Sequence, residues 1–424
     1  MLATQFHDFE IGQRRINQFY PLLGNSIFSS DGAFWQHSRA LFRPQFIREN
    51  INDLEETEKG SRTLIEALGP VDSKGWTSVR QLQPLLFNFT LDTASSFLFG
   101  ESINSQSLMM RESSESDSPV SQDQAKQKQF MADFELANVY MFKRIRFQSL
   151  YWINDSLDLR RAIRRMRQYI EQFVQKAIAS AASTTLKQEN KKYNLLSALA
   201  EQTQDHEELR NQLLAILVAG RDTTAGLLGW SFARLAIHPD IFHKLRTHIL
   251  SDFPPSSSSS TITFEKVKAC RYLQHFLHEV LRLHPNVPFN NRQAAVDTTL
   301  PTGGGPDGTA PIVVAKGTTI AFSVYLMHRR PDLWGEDVLE FRPERWEEER
   351  RGSKWQFLPF SGGPRVCLGQ QFALVEASYV IIRILQTFDA IVPGDVMEMS
   401  RLRKGLGLTL WPRDGVPVKF HRAD

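Results

Sequence analysis

The chain has 424 residues, 42% of them hydrophobic, with 50 Lys and Arg against 47 Asp and Glu, a net charge of +3. So much apolar residue excludes an intrinsically disordered chain, and so balanced a charge excludes a protein built chiefly to bind nucleic acid. Only Cys270 and Cys367 carry thiols, which excludes a disulfide framework and a Cys-rich zinc module and fits a reducing compartment.

Residues 1–15 mix His, Asp, Glu and Arg with apolar residues, so they form no secretory signal. Phe6, Phe9 and Ile11 there read as internal packing. No uninterrupted apolar run approaches the ~20 residues of a membrane-spanning helix. Trp35 and Arg39 stand four apart and would share a helix face. Residues 101–128 are rich in Ser, Glu, Gln and Asp and read as a flexible loop. Ile163, Met166, Ile170, Phe173, Val174 and Ala177 recur at helical spacing and predict one apolar face. Arg160, Arg161, Arg164, Arg165 and Arg167 lie mostly off that face. They read as a solvated basic surface, with a membrane or partner patch as the alternative.

Residues 207–237 read as one helix, ~45 Å long at ~1.5 Å per residue, ending before Pro239. Residues 251–262 hold Pro-Pro and a serine run and read as a flexible connection. A helix over 264–284 is stopped by Pro285, and another follows Gly369 to about Phe388. Strands are fewer. Residues 311–315 and 318–324 flank Lys316-Gly317, and 408–411 and 416–420 flank Asp414-Gly415, so each pair reads as a hairpin. The expectation is a mainly α fold with small β-sheets. It forms one domain over residues 1–424, although length alone suggests two or three.

Several constellations could carry chemistry. In Phe360-Ser361-Gly362-Gly363-Pro364-Arg365-Val366-Cys367-Leu368-Gly369 a glycine-rich loop delivers one cysteine to the start of a helix. Glycines allow close backbone approach, and a helix N-terminus stabilises a thiolate. Gly369 leaves room for a flat group, and Arg365 offers a fork of donors to a carboxylate. Together they suit a haem with its propionates, whereas a lone cysteine is usually a buried structural thiol. In Ala219-Gly220-Arg221-Asp222-Thr223-Thr224, Gly and two Thr are poor choices for a helix interior. That segment reads either as a buried kink with a salt bridge or as a pocket where an acid and an alcohol relay protons. Glu279 and Arg282 stand three apart, by default an ordinary surface ion pair. Arg345, in Phe341-Arg342-Pro343-Glu344-Arg345-Trp346, could join it. Arg292 follows the stretch from Pro285 to Pro288.

FSGGPRVCLG, preceded in order by AGRDTT, EVLR and FRPERW, resembles the haem-thiolate monooxygenases, the cytochromes P450, over nearly the whole chain. Residues 30–46, 297–312 and 360–374 are closest to the fungal branch that hydroxylates alkanes and fatty acids. The resemblance implies haem b, with Cys367 as the axial ligand of its iron. It implies propionate anchors at Arg365, Arg292, Trp35 and Arg39, Phe360 beside the sulfur, and Gly369 against the haem. Glu279, Arg282 and Arg345 would form a buried structural network. Asp222 and Thr223 would be the distal acid–alcohol pair. Ile216, Ala219, Val287 and Phe289 would line the substrate pocket.

It further implies O2, an apolar small-molecule substrate and electrons from NADPH through a separate flavoprotein reductase. Lys354 and Arg403 are candidate docking charges for it, although solvated charge is the simpler reading. The substrate would be a long aliphatic chain, with tailoring of a fungal secondary metabolite or an inactive haem-binding fragment as alternatives. Family members of this branch usually carry an N-terminal membrane anchor and first sheet strands ahead of the segment where this sequence starts. The expectation is therefore a longer protein on the endoplasmic reticulum membrane. Trp346 stands where the family usually has Phe.

Overall fold

The computed structural model describes residues 1–47, 52–113, 121–182, 193–255, 262–348, 354–394 and 402–423. The helices among them are α1 (Gln13–Leu23), α2 (Gly32–Phe42), α3 (Glu55–Ala67), α4 (Leu82–Phe99), α5 (Ser105–Ser113), α6 (Gln122–Arg146), α7 (Leu157–Ala182) and α8 (Leu195–Ala200). Then come α9 (His206–Ile237), α10 (Pro239–Asp252), α11 (Phe264–Ala269), α12 (Arg271–Leu283), α13 (Val324–Met327), α14 (Pro331–Trp334) and α15 (Gln370–Thr387). Short strands form small antiparallel sheets, so the fold is mainly α with minor β, as the sequence predicts.

The predicted face of α7 is buried, from Ile163 to Ala177. The basic residues beside it are partly committed: Arg165 holds Asp133 at 2.6–2.8 Å and Arg167 donates to the Pro21 carbonyl. Helix α9 starts where Asp205 accepts from the Glu207 and Glu208 amides, which fills orphan donors at the N-terminus. It is long and apolar enough to cross a membrane, yet most of it is buried in the protein. One apolar core gathers around its C-terminal half with α12 and α15, and a second around its N-terminal half with α6, α7 and α8. Helix α9 thus joins both cores.

Three expectations change. The described residues of the predicted loop at 101–128 are largely helical. Asp92 accepts from the Ser105 and Gln106 amides to start α5, and Ser121 and Gln124 form a reciprocal capping box that starts α6. Of the predicted connection at 251–262, Ser251 and Asp252 end α10, and residues 256–261 lie outside the described residues. The predicted helix over 264–284 is two helices broken at Cys270, which caps α12.

Neither predicted hairpin forms. Strand β3 (Phe289–Ala294) pairs with β1 (Phe9–Glu10) and with β6 (Thr319–Ser323), while β4 (Thr298–Gly304) pairs with β5 (Ala310–Val314). Likewise β10 (Pro417–Arg422) pairs with β2 (Arg80–Gln81) and β7 (Phe388–Pro393), and β8 (Lys404–Leu406) pairs with β9 (Leu410–Pro412). Phe9 and Ile11 are buried, and the Phe6 ring lies 5.4 Å from Trp35, as internal packing requires.

Candidate active site: a thiol under an arginine cluster

The cysteine loop is held by backbone geometry. The Cys367 amide donates to the Phe360 carbonyl at 3.0 Å, closing the loop. Gly363 has φ +69°, and a Cβ there would lie 1.7 Å from the Leu2 carbonyl oxygen, so only glycine fits. Helix α15 begins three residues after the cysteine. Cys367 is an exposed residue, although burial among its neighbours raises the pKa of its thiol. The Gly369 amide and the Arg39 charge oppose that rise and favour thiolate. A Cβ on Gly369 would meet only the Phe46 ring, at 3.7 Å, so the space the sequence reading required is open. Cys270 contrasts with it: 1% exposed, its thiol pushed up to about 12 by burial and Asp252.

Beside the loop lies a knot of positive charge. Trp35 is flanked by the guanidiniums of Arg365, 4.3 Å from its ring, and Arg39, 5.9 Å away. Arg39 donates to the Val366 carbonyl at 3.1 Å. Arg365 donates to the Ser30 carbonyl and to Asp31 at 2.6 Å. Arg292, on β3, is 4% exposed and bonds the Asn291 carbonyl. Arg15, on α1, donates to Asn290 at 2.6 Å. Sequence reasoning missed it, because nothing local marks it and its partners lie far along the chain.

Burial, then repulsion from Arg292 and Arg365, lowers Arg15 to about 10, and burial with Arg292 and Arg39 does the same to Arg365. Against these four cations stand Asp31 and Glu10. Nε of Arg15 and Nε of Arg365 are buried without a partner. Unspent donors and uncompensated positive charge beside an accessible thiol suit a flat group carrying two carboxylates. The residues present therefore fit haem b: Cys367 toward the metal, and Arg15, Arg39, Arg292, Arg365 and Trp35 toward the propionates.

Across the fold, α9 carries the other predicted pair. The Thr223 hydroxyl donates to the Ala219 carbonyl one turn back, at 2.8 Å. Asp222 accepts from Arg221 at 2.9 Å, and burial raises its pKa although Arg221 lowers it. Of the buried-kink reading the ion pair is present but the kink is not, since the helix runs unbroken through it. Ile216 and Ala219 are partly buried on the same helix. Val287 and Phe289 are 38% and 46% exposed, so they sit at the surface and do not line a closed pocket.

The Glu279–Arg282 pair is no surface contact. Both are fully buried, and Arg282 grips the carboxylate with two bonds of 2.8 Å. The Trp346 indole donates to it at 3.0 Å, which phenylalanine could not do, and the Arg342 amide donates at 3.1 Å. Arg345 reaches it at 3.4 Å but binds Asp337 more closely, at 2.7 and 2.9 Å. Arg403 pairs with Asp414, and the Lys354 side chain lies outside the described residues.

Comparison with known proteins settles the family. The family profile described as Cytochrome P450 matches residues 3–418. The chain is a cytochrome P450. It is 45% identical over 397 residues to Cytochrome P450 monooxygenase g430 of Fusarium sp, an alignment covering 92% of this chain and 68% of that protein. It is 42% identical over 422 residues to Cytochrome P450 52A13 of Debaryomyces hansenii and 43% identical over 425 to Cytochrome P450 52A10 of Candida maltosa. Each of those alignments covers 99% of this chain and 79% of the relative. As a P450 the protein is an oxidoreductase of the monooxygenase class. It uses haem-thiolate iron and takes electrons from a redox partner.

Proposed function

We propose that this P450 inserts one oxygen atom of O2 into a long aliphatic chain such as a fatty acid or alkane. The accessible Cys367 beside the arginine cluster carries the reading of the site. The likeness to the fungal alkane and fatty-acid branch carries the substrate. Residues 1–424 act as one haem domain, because α9 contributes to both apolar cores.

Cys367 would hold the metal, and Phe360 closes its loop. Arg15, Arg39, Arg292, Arg365 and Trp35 would orient the propionates. A haem held there by a thiolate would supply the oxidising chemistry, because a thiolate favours O–O cleavage. The chain's own task is then to deliver protons and keep bulk water away. Asp222 takes protons from solvent, and the Thr223 hydroxyl, anchored on the Ala219 carbonyl, passes them inward. Ile216 and Ala219 face the substrate, with Val287 and Phe289 at its approach. The Glu279–Arg282–Arg345 network, with Trp346, fixes the framework without touching substrate. Electrons arrive from NADPH through a flavoprotein reductase on the endoplasmic reticulum membrane.

A second reading is tailoring of a fungal secondary metabolite. One experiment separates them. Long-chain fatty acids, n-alkanes and polycyclic fungal metabolites are each titrated into the haem protein, and products are identified by mass. A spin-state shift and a hydroxylated product with fatty acids or alkanes support the proposal. Turnover of the polycyclic compounds alone would transfer the chain to the second reading.

A further inference from the structure

Two cavities, of about 350 and about 270 Å³, border α9, and Asn88, Glu135 and Arg221 line both. Neither is lined by Cys367 or by the arginine cluster around Trp35. The walls common to both include one ion pair, Arg221 on α9 with Glu135 on α6. The Arg221 side chain is 6% exposed and that of Glu135 is 56% exposed, so the pair runs from the interior to solvent. The guanidinium is held over the rings of Phe87, at 4.5 Å, and Phe134, at 5.3 Å. One of its arms reaches Glu135 and the other reaches Asp222 at 2.9 Å. Arg221 thus has two carboxylates to serve, one of them the proposed proton carrier.

We propose that Glu135 is a positioning residue for Asp222: it occupies one arm of Arg221, so that Asp222 is only half-neutralised and stays able to take up a proton. This rests on the relay reading of Asp222 and Thr223. An unshared arginine would hold Asp222 as a fixed carboxylate, which accepts a proton less readily. The charges facing the site are few. Arg221 and Glu135 act on Asp222 directly, the Glu112–Lys128 pair stands in the wall of the larger cavity, and Arg413 in the wall of the smaller. Burial and Glu135 push the Asp222 carboxyl up while Arg221 pulls it down. Removing the Glu135 charge therefore acts twice in one direction, losing a repulsion and freeing an arm.

The test compares wild type, Glu135→Gln, Glu135→Asp and Asp222→Asn, all haem-loaded. One readout is the infrared band of the protonated Asp222 carboxyl, identified by its loss in Asp222→Asn. The other is product formed per NADPH as pH rises. In Glu135→Gln the band's midpoint and the alkaline fall in coupling should both move down by about one pH unit or more, and Glu135→Asp should restore them. Unmoved midpoints in Glu135→Gln, or an Asp222 band absent at every pH, would overturn the proposal. If Asp222→Asn leaves coupling unchanged, the relay reading itself fails. If it lowers coupling while Glu135→Gln shifts nothing, only the role of Glu135 fails.

Discussion

Replacing Glu376 by Gln should make the protein more stable above neutral pH. Glu376 sits on α15 within the run that follows the cysteine loop and is 3% exposed. Burial pushes its carboxyl up from 4.5 to about 7, opposed by the hydroxyls of Thr93 and Thr224. Its Oε1 has no partner. The Thr93 hydroxyl already donates to carbonyls of its own helix, Phe89 at 3.1 Å and Thr90 at 3.3 Å.

A carboxyl whose folded pKa exceeds its unfolded one binds a proton on folding. Its contribution is intact below the unfolded value and is lost as pH rises through the window between the two. The gap from 4.5 to about 7 converts, at about 1.4 kcal/mol per pH unit, to about 3 kcal/mol lost by the alkaline end. Glutamine keeps the shape and the donor and cannot ionise. Urea unfolding of both haem-loaded proteins, followed by helical circular dichroism from about pH 4 to about pH 8, tests this. Near-equal stability at the acid end and an advantage of about 3 kcal/mol for Glu376→Gln at the alkaline end are expected. A difference that does not change with pH, or a less stable variant at pH 8, would refute the reasoning.

Other changes have equally definite outcomes. Thr223→Ala should keep haem and substrate binding but divert reducing equivalents to peroxide, because positioned proton transfer is worth about 10²–10⁴-fold; product per NADPH measures it. Glu279→Ala should yield little soluble haem protein, since stranding Arg282 in a buried site costs roughly 3–5 kcal/mol; soluble haem per cell mass reads it, and a haem-replete variant would contradict the buried network. Arg15→Met should weaken haem retention, measured as the rate of haem transfer to apomyoglobin, while leaving the apoprotein's helical content unchanged.

What could be read from the sequence follows the range of the interaction that decides each feature. Helix α9 was legible because apolar spacing and the stop before Pro239 act within one segment. The cysteine loop was legible because its glycines and Cys367 are contiguous. The strands around Gly317 and Gly415 were found, but their partners were not: a turn dipeptide shows where a chain bends, while pairing is chosen by burial against remote segments such as 289–294 and 388–393. Residues 101–128 looked like loop because Ser and Gln dominate, although Ser121 and Gln124 form a capping box there. Arg15 was invisible, since its role depends on Asn290, 275 residues away. Glu376 carried a signal, a lone acid in an apolar run nine residues after Cys367, and so did Trp346, whose indole nitrogen has a use that phenylalanine lacks.

The central claim is that Cys367 is the thiolate of a haem-thiolate monooxygenase, and the carbon monoxide difference spectrum of the reduced protein tests it most directly. The wild type and Cys270→Ala should both show the strongly red-shifted Soret band of thiolate ligation, and Cys367→Ala should lose it together with all oxygenase activity. An unshifted band in the wild type, or loss of the shift in Cys270→Ala with retention in Cys367→Ala, would contradict the account.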